Sequence, residues 1–419
     1  MSLNNTVDYI LSEISYIDII DAHEHLEPEK ERIKLKLDVC NLFSHYTKYD
    51  LLSAGMTEEE YNQMINPGLP LDKRYSLLKK YLPYIKHSSY TRALFIALRD
   101  IYGYSDITDE NYKEISRRRQ ELNRPGIYDE ILVKRCRARA VLTQVSRTDY
   151  DKRYMLPVLW IDVLIGIRSR EDVEKRATEL NMEIRNLEDY LQWMEERILK
   201  WSKYNRVVGI KCVSLPRNMP PSRDVAEKAF NNLMRESAKE EDFNILNLFL
   251  FDKVLELCEK LDLTVAVHSG VWGDFRRLDP RHMIPYFQRH ANTRFDLYHM
   301  GMPWIRDAAF IAKNFPNVYL NLCWSHIVSP YMVRSSLPEY IDVVPINKII
   351  AFGGDYRGVA LEKVWGHLVI AKENIACALA KLVLDGRMRR DEAVDIAKMW
   401  FYENPVRIYK LKLKEKRLI

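Results

Sequence analysis

Two histidines, His23 and His25, stand two positions apart in the segment DAHEH at residues 21–25. An apolar run at residues 16–20 precedes them, as is typical of a buried β-strand. Side chains on a strand alternate between its two faces, so both imidazoles point to the same side. Both rings can therefore reach one cation, and the pattern predicts a metal-binding strand end.

Four further titratable side chains lie in or just after other β-branched runs: Lys211 within residues 207–213, His268 at the end of residues 263–268, His299 at the end of residues 295–299, and Asp355 after residues 349–352. Neutral imidazole and carboxylate oxygen suit Zn²⁺ best, with Mn²⁺, Fe²⁺ and Ni²⁺ as alternatives. Such an ion lowers the pKa of a bound water to about 7. A nearby carboxylate can then take the proton and return it to a leaving group.

The predicted metal ligands are His23, His25, His268 and Asp355. Asp355, His299 and His268 are also the predicted catalytic groups. Asp355 would activate the water, and His299 would stabilise the developing oxyanion or the leaving group. Lys211 has two interpretations: an ordinary strand-end lysine or, if carboxylated, a bridge between two metal ions.

The elements that must position these groups alternate regularly along the chain. Counting the run before His23, we predict eight strands, the others at residues 138–143, 155–161, 207–213, 263–268, 295–299, 318–322 and 349–352. Segments with apolar residues at helical spacing lie between some of these strands, at residues 171–204, 248–261 and 305–314. This alternation predicts an α/β fold of the (β/α)₈ TIM-barrel type, in which functional groups gather at the C-terminal ends of the strands.

Two helical regions extend the predicted barrel. Residues 28–124 follow the first strand and carry apolar residues at helical spacing, with breaks at prolines that include Pro83. They predict a helical insertion. Residues 361–384 and 391–402 predict a helical C-terminal tail. We expect a single domain over residues 1–419.

Composition restricts the partners and the compartment. The chain has 64 Lys and Arg residues against 59 Asp and Glu, and this net charge of +5 does not suggest nucleic acid. The basic stretch at residues 410–417 is interpreted as a solvated helix end. The six cysteines form no CxxC pair, which indicates reduced thiols. No apolar stretch reaches the ~20 residues of a membrane span, and the N-terminus lacks a signal-peptide pattern. We expect a cytoplasmic protein with a small-molecule substrate and no membrane partner, and leave a homo-oligomer open.

Longer segments around these residues carry a family resemblance. The motif DAHEH, FDLYHMGMP at residues 295–303 and AKNFPNVY at residues 312–319 resemble the amidohydrolase superfamily, and its amidohydrolase-2 type in particular. The resemblance implies a barrel in which histidines and a strand-eight aspartate surround one or two metal ions. The motif SHY at residues 44–46 and LPV at residues 156–158 are similar to the uronate isomerase branch. There the strand-one histidines and the strand-eight aspartate are the chief ligands.

The chain differs from that branch at three places. Ser44 stands where the branch has an aspartate, and the following KYD at residues 48–50 lacks its arginine. Residues 158–162 read VLWID in place of an Arg-Pro-Asp run. The predicted metal centre is compatible with these differences, but they argue against uronate as the substrate.

Candidate substrate-binding residues come from the insertion and from the loops after the strands. They are His45, Tyr46, Arg92, Arg276, Trp324, His326 and Arg357. The carboxylate of a sugar acid would need a basic partner, for which Arg147 and the three arginines of this set are candidates. The loops at residues 214–244 and 271–285 suggest a polar, anionic substrate.

Four functions are compatible with this set of residues. The first is a metal-dependent hydrolase that acts on a C–N, C–O or lactone bond. The second is a uronate isomerase-like aldose–ketose isomerase, and the third is a decarboxylase of a small acid. The fourth, a non-catalytic ligand-binding barrel, is disfavoured by the complete set of ligand types. We predict the hydrolase, with the isomerase as the main alternative.

Overall fold

Parallel strands close into a barrel in the computed structural model, which describes residues 2–146 and 150–413. Within these ranges the eight strands are β1 (Ile19–Glu24), β2 (Ala138–Val145), β3 (Met155–Trp160), β4 (Gly209–Cys212), β5 (Thr264–Val267), β6 (Phe295–Leu297), β7 (Val318–Asn321) and β8 (Ile349–Ile350). Each strand pairs with its neighbour in sequence. A backbone hydrogen bond of 2.8 Å from Asp355 N to His23 O joins the segment after β8 to β1. The predicted (β/α)₈ barrel is confirmed.

Every predicted strand overlaps an observed one, but two functional strands end earlier than predicted. β5 ends at Val267 and β6 at Leu297, so His268 and His299 lie beyond the strands. The backbone of His299 has a φ of 62°, a left-handed conformation that a strand does not contain. Both histidines therefore belong to the turns that leave the barrel.

The insertion after β1 is helical, as predicted. Helix α1 (Leu3–Ser15) precedes β1, and the insertion contains α2 (Glu29–Arg32), α3 (Thr47–Ser53), α4 (Glu58–Ile65), α5 (Leu71–Ile85), α6 (Ser89–Ala97) and α7 (Tyr112–Leu122). It has an apolar core of its own, which includes Phe43, Met64, Leu78 and Ile115. Pro83 does not interrupt α5, contrary to the prediction, because it lies in the last turn and removes a single backbone donor there.

Helices between the later strands surround the barrel. They are α8 (Asp162–Ile165), α9 (Arg170–Leu180), α10 (Leu187–Asn205), α11 (Arg223–Met234), α12 (Glu240–Lys260), α13 (Ile284–Arg289), α14 (Ile305–Asn314), α15 (Ser325–Val328) and α16 (Pro330–Val343). Residues 171–204, predicted as one helix, form two, because Asn181 turns left-handed at a φ of 53° and the Asn186 side chain caps α10. The predicted loop at residues 214–244 contains α11, whose apolar residues form one buried face.

The C-terminal tail contains α17 (Glu362–Leu384), α18 (Arg390–Lys398) and α19 (Asn404–Ile408). Short 3₁₀ or π-helical turns lie at Cys40–Phe43, Leu98–Tyr102, Asp129–Arg135, Phe275–Leu278, Pro280–Met283, His299–Gly301, Ile346–Lys348, Gly358–Ala360 and Met399–Glu403. After α19, the Tyr409 hydroxyl donates to Asp296 Oδ2 at 2.7 Å. The Thr264 hydroxyl, at the start of β5, donates to Ile408 O at 2.7 Å. The tail thus closes the N-terminal end of the barrel.

Two further predictions concern membrane-spanning helices and the basic C-terminal stretch. Within the described ranges, no helix combines the length and the apolar character needed to cross a membrane. Residues 414–417, half of the basic stretch at residues 410–417, lie outside the described residues.

Candidate metal centre and its cavity

Side chains at the C-terminal ends of β1 and β8 meet at one carboxylate oxygen. Asp355 Oδ1 lies 2.9 Å from His23 Nε2 and 3.2 Å from His25 Nε2. The backbone after β8 passes so close to β1 that a Cβ on Gly354 would lie 1.9 Å from Glu24 Oε1. Glycine permits this approach, and the approach brings Asp355 to the histidines.

Backbone carbonyls fix the tautomers of two histidines. His25 Nδ1 lies 3.0 Å from Gln144 O, and His299 Nδ1 lies 3.0 Å from Cys323 O, so each Nδ1 carries the hydrogen and donates it. The Nε2 atom of each neutral ring then carries a lone pair. His25 Nε2 faces the Asp355 carboxylate, which is also an acceptor. Two facing acceptors need a cation or a proton between them, and this arrangement fits a metal ion.

The structure groups His299, and not His268, with His23 and Asp355, whereas His268 lines the cavity beside them. Among the described residues, donor atoms of His23, His299 and Asp355 all lie within 4.8 Å of one another. His268 Nδ1 lies 3.2 Å from His299 Nε2 without joining that group. The sequence predicts His268 as a ligand and His299 as a catalytic group. Because His25 also lies outside the group, the grouping does not exclude His268, whose role as a ligand stays a prediction. The backbone of His299 is left-handed and lies just beyond the end of β6, in the turn that carries its ring.

Burial and close contacts set the charges of the centre. Burial lowers the pKa of His23 and of His268 well below the ordinary range, and it lowers the pKa of His299 to about 4. Burial also opposes ionisation of Asp355, but contacts with His23 and His25 hold the pKa of Asp355 well below its usual value. At neutral pH the centre offers neutral imidazoles and an ionised carboxylate, which are the forms that bind a divalent cation.

Four residues around the centre have a strained backbone. The φ angles are 64° for His45 and 62° for His299, Trp324 and Asp355, all in the left-handed region. Such a conformation costs a residue other than glycine on the order of 1–3 kcal/mol and persists only where the surroundings enforce it. Strain of this kind concentrates at functional sites, which supports this end of the barrel as the active site.

A cavity of ≈ 220 Å³ opens at the centre. Its lining consists of His23, His25, His45, Tyr46, Trp160, Val213, His268, Trp272, Leu278, Trp324, Asp355 and Arg357. The predicted substrate residues in this set are His45, Tyr46, Trp324 and Arg357. The sequence assigns no substrate contact to Trp160 or Trp272, although Trp160 is the last residue of β3 and Trp272 follows β5. A position at or just after a barrel strand is the signal that could have identified both.

Two predicted substrate arginines lie away from the cavity. Arg92 on α6 forms an ion pair with Glu373 on α17. Arg276 is exposed, and its Nε lies 2.7 Å from Asp274 Oδ1 on the same loop. Neither belongs to the cavity lining, so Arg357 is the predicted arginine that the structure places at the cavity.

Two buried basic residues lie behind the cavity wall. His326 Nε2 lies 2.8 Å from Ala351 O, so this histidine supports β8 and does not line the cavity. Lys211 Nζ lies 3.8 Å from the centre of the Tyr298 ring and has no hydrogen-bond partner in the described part of the chain. Burial lowers the pKa of Lys211 to about 8. Carboxylation of Lys211 stays a prediction, and Arg147 lies outside the described residues.

A comparison with models of protein families identifies the family to which this barrel belongs. A family model described as amidohydrolase matches residues 188–411, more than half of the chain. The chain belongs to the amidohydrolase family. Members of this superfamily are metal-dependent enzymes, and the resemblance found in the sequence is confirmed.

Solved structures show the same fold over nearly the whole amidohydrolase chain. Glucuronate isomerase from Caulobacter crescentus is 15% identical with a TM-score of 0.82, and the match covers 99% of this chain and 95% of that one. Uronate isomerase from Thermotoga maritima is 14% identical with a TM-score of 0.78, over 97% of both chains. A proposed metal-dependent hydrolase from Lactobacillus casei is 14% identical with a TM-score of 0.62, over 96% of this chain and 97% of that one.

A curated relative matches a shorter region. The protein fluG of Emericella nidulans is 26% identical over 227 residues, which are 52% of this chain and 23% of that protein. The amidohydrolase chain thus matches less than a quarter of the length of this relative.

Separate replacement of His299 and His268 tests the ligand set. His299→Asn is expected to weaken metal affinity by about 100-fold or more, since loss of a residue that merely orients a ligand already costs 10–100-fold. His268→Asn is expected to weaken it by less than about tenfold. Competition with a chromophoric chelator measures both affinities, and His87→Asn, on an exposed residue, is the control. The opposite order would restore His268 as the ligand.

Proposed function

We propose that this amidohydrolase is a metal-dependent hydrolase of a small anionic substrate. The observation that carries the proposal is the contact of His23 and His25 with one oxygen of Asp355, together with a His299 donor atom within 4.8 Å of those of His23 and Asp355. Nitrogen and carboxylate donors of this kind suit Zn²⁺, with Mn²⁺, Fe²⁺ and Ni²⁺ as alternatives. A divalent ion held there supplies Lewis acidity and lowers the pKa of water to about 7.

Side chains of the protein would carry out the proton transfers and hold the metal ion. Asp355 is ionised and lies at the base of the cavity, so its carboxylate can accept the proton of the attacking water. The protonated carboxyl of Asp355 can then return that proton to the leaving group, and His268, which lines the cavity as a neutral imidazole, can relay it by accepting it first. Since His299 donates its Nδ1 hydrogen to Cys323 O, its Nε2 atom acts as a ligand and not as an oxyanion donor.

The aldose–ketose isomerase is the second candidate. The likeness to two uronate isomerases covers at least 97% of this chain, the helical insertion included. His45 and Tyr46, from the insertion motif that resembles that branch, line the cavity. Against this reading, Ser44 replaces the aspartate of the branch motif, and Trp160 occupies the cavity wall at the end of β3.

Metal analysis followed by two substrate assays tests the proposal. The purified protein is expected to hold or recruit about one divalent ion per chain, and chelation is expected to abolish hydrolysis of small amides, lactones and esters that carry a carboxylate. Glucuronate and galacturonate are expected to remain unchanged. Ketose formation from either acid would contradict the hydrolase function and support the isomerase function. Failure to recruit any divalent ion would eliminate both candidates.

A further inference from the structure

Three indole rings dominate the wall of the cavity above the metal centre. Trp160, Trp272 and Trp324, here called the tryptophan wall, come from β3, from the loop after β5 and from the segment after β7. The aliphatic side chains of Val213 and Leu278 fill part of the space between them. A substrate in this cavity therefore contacts flat, apolar surfaces over much of its body.

The tryptophan wall is held in place by further aromatic rings. Trp324 stacks on Tyr46 at a centroid distance of 4.4 Å and an interplanar angle of 18°, and Tyr90 continues the stack. Trp272 meets Trp324 edge to face, with centroids 6.1 Å apart and planes inclined by 61°. Tyr49 of the insertion contacts Trp272 in turn. The two indole rings thus meet at an angle, and both line the cavity, where they offer apolar aromatic surface to a planar ring.

Few polar groups remain in the lining for a substrate. Apart from the residues of the metal centre, they are His45, His268, Arg357, the Tyr46 hydroxyl, which is already hydrogen-bonded to Asp355, and the indole N–H groups. The N–H groups of Trp160 and Trp324 have no hydrogen-bond partner in the described part of the chain, but each can donate only one hydrogen bond. A sugar acid would bring several hydroxyl groups against indole faces. Each hydroxyl buried without a partner would weaken binding by about tenfold.

The size of the cavity points to the same class of ligand. An apolar protein cavity of about 150 Å³ is sufficient for benzene. The cavity here measures ≈ 220 Å³, which leaves room for one ring with one or two small substituents. Arg357 is exposed at the lining and forms no ion pair with any described residue, so its guanidinium is available for an anionic substituent.

We propose that the substrate is a small aromatic carboxylate. Its ring packs against the tryptophan wall, its carboxylate pairs with Arg357, and its reacting substituent points towards Asp355 and the metal ligands. The placement of the reacting substituent of the substrate rests on the proposed function. The recognition of ring and carboxylate is independent of which bond is cleaved.

Calorimetric binding of three acids to the metal-loaded full chain tests the proposal. Benzoate is expected to bind more tightly than cyclohexanecarboxylate, and at least tenfold more tightly than glucuronate. Trp272→Leu and Arg357→Gln are each expected to weaken benzoate binding by about tenfold. Trp272 is 46% exposed, so the fold does not depend on its ring. Arg276→Gln, an exposed arginine outside the lining, is the matched control and is expected to bind benzoate as the wild type does.

The outcomes separate this proposal from the proposed function. Glucuronate binding as tight as benzoate binding, no benzoate binding to metal-loaded protein, or unchanged affinity in both variants would each overturn the substrate class. Failure of the metal analysis would overturn the proposed function first, before any acid is added. Selective benzoate binding without hydrolysis would support the substrate class and require another reaction at the same centre.

Discussion

Replacing Asp355 by asparagine is expected to remove the bound metal ion and to lower turnover by about 10²–10⁴-fold or more. The carboxylate faces His23 Nε2 at 2.9 Å and His25 Nε2 at 3.2 Å. An amide at this position can donate its own hydrogen to His25 Nε2, which satisfies the lone pair without a cation. Because the variant no longer buries a charge, its metal-free form is expected to unfold at or above the temperature of the metal-free wild type.

Elemental analysis and thermal unfolding of both metal-free proteins measure these effects. Asp274→Asn is the control, because Asp274 is 40% exposed on the loop after β5 and its ion pairs among the described residues are with Arg276 and Arg277 of that loop. The control is expected to retain the ion and the activity. If Asp355→Asn kept a full complement of metal, the ion would have to be held by histidines alone. The position of Asp355 at the centre would then serve proton transfer only.

The barrel could be predicted because its strands are buried on both faces. Strands such as β5 are surrounded by helices outside and packed side chains inside, so they appear in the sequence as continuous apolar runs. The boundaries of the helices were harder to predict from the sequence. The division between α9 and α10 depends on the backbone of Asn181 and the cap of Asn186, which compete with a helical periodicity that continues across them.

The core of the site followed from the order of the strands. A barrel brings its first and last strands together, so His23, His25 and Asp355 were expected to meet, although they are more than 300 positions apart in the sequence. The grouping of His299 with His23 and Asp355 could not be predicted, because the position of its ring depends on a turn with a left-handed φ angle beyond the end of β6. A sequence reveals residue types at strand ends, but not the direction in which a turn aims a ring.

The substrate arginines show a second limit of the sequence. Arg92 lies in the insertion and is a predicted partner of the substrate carboxylate, yet it pairs with Glu373 at a separation of 281 residues. Nothing local to either residue indicates this partner. Arg357, in contrast, follows β8 at the same end as the catalytic groups, and the barrel rule alone places it correctly.

Replacing Glu362 by glutamine is expected to lower the free energy of unfolding by about 3–5 kcal/mol. Glu362 Oε1 accepts hydrogen bonds from Arg32 at 3.0 Å, from Arg119 at 3.0 Å and from Tyr102 at 2.9 Å. All three donors come from the insertion, whereas Glu362 begins α17. The glutamine would leave two buried arginines without a counter-charge, so the loss should exceed that of a hydrogen bond between neutral groups.

The Glu362 carboxylate is also expected to make the stability of the protein depend on pH. Burial opposes its ionisation, but Arg119 and Arg32 overcome this effect and lower the pKa of Glu362 from 4.5 to about 2. A carboxyl whose pKa is depressed in the folded state stabilises the protein fully above its unfolded value, and the contribution is lost as pH falls through the folded value. Between about pH 4.5 and 2, the wild type should therefore lose stability more steeply than Glu362→Gln.

Urea titration of the wild type and two variants separates a buried network from an ordinary ion pair. Glu373→Gln is the matched control, because Glu373 lies on the same helix and pairs with Arg92 at side-chain exposures of 30% and 42%. Its loss should cost no more than about 1 kcal/mol. Equal effects of the two substitutions would mean that the insertion is held by its apolar contacts alone. A large effect of Glu362→Gln should also reach the active site, since Arg32 Nε donates to Gly358 O at 3.1 Å, directly beside Arg357.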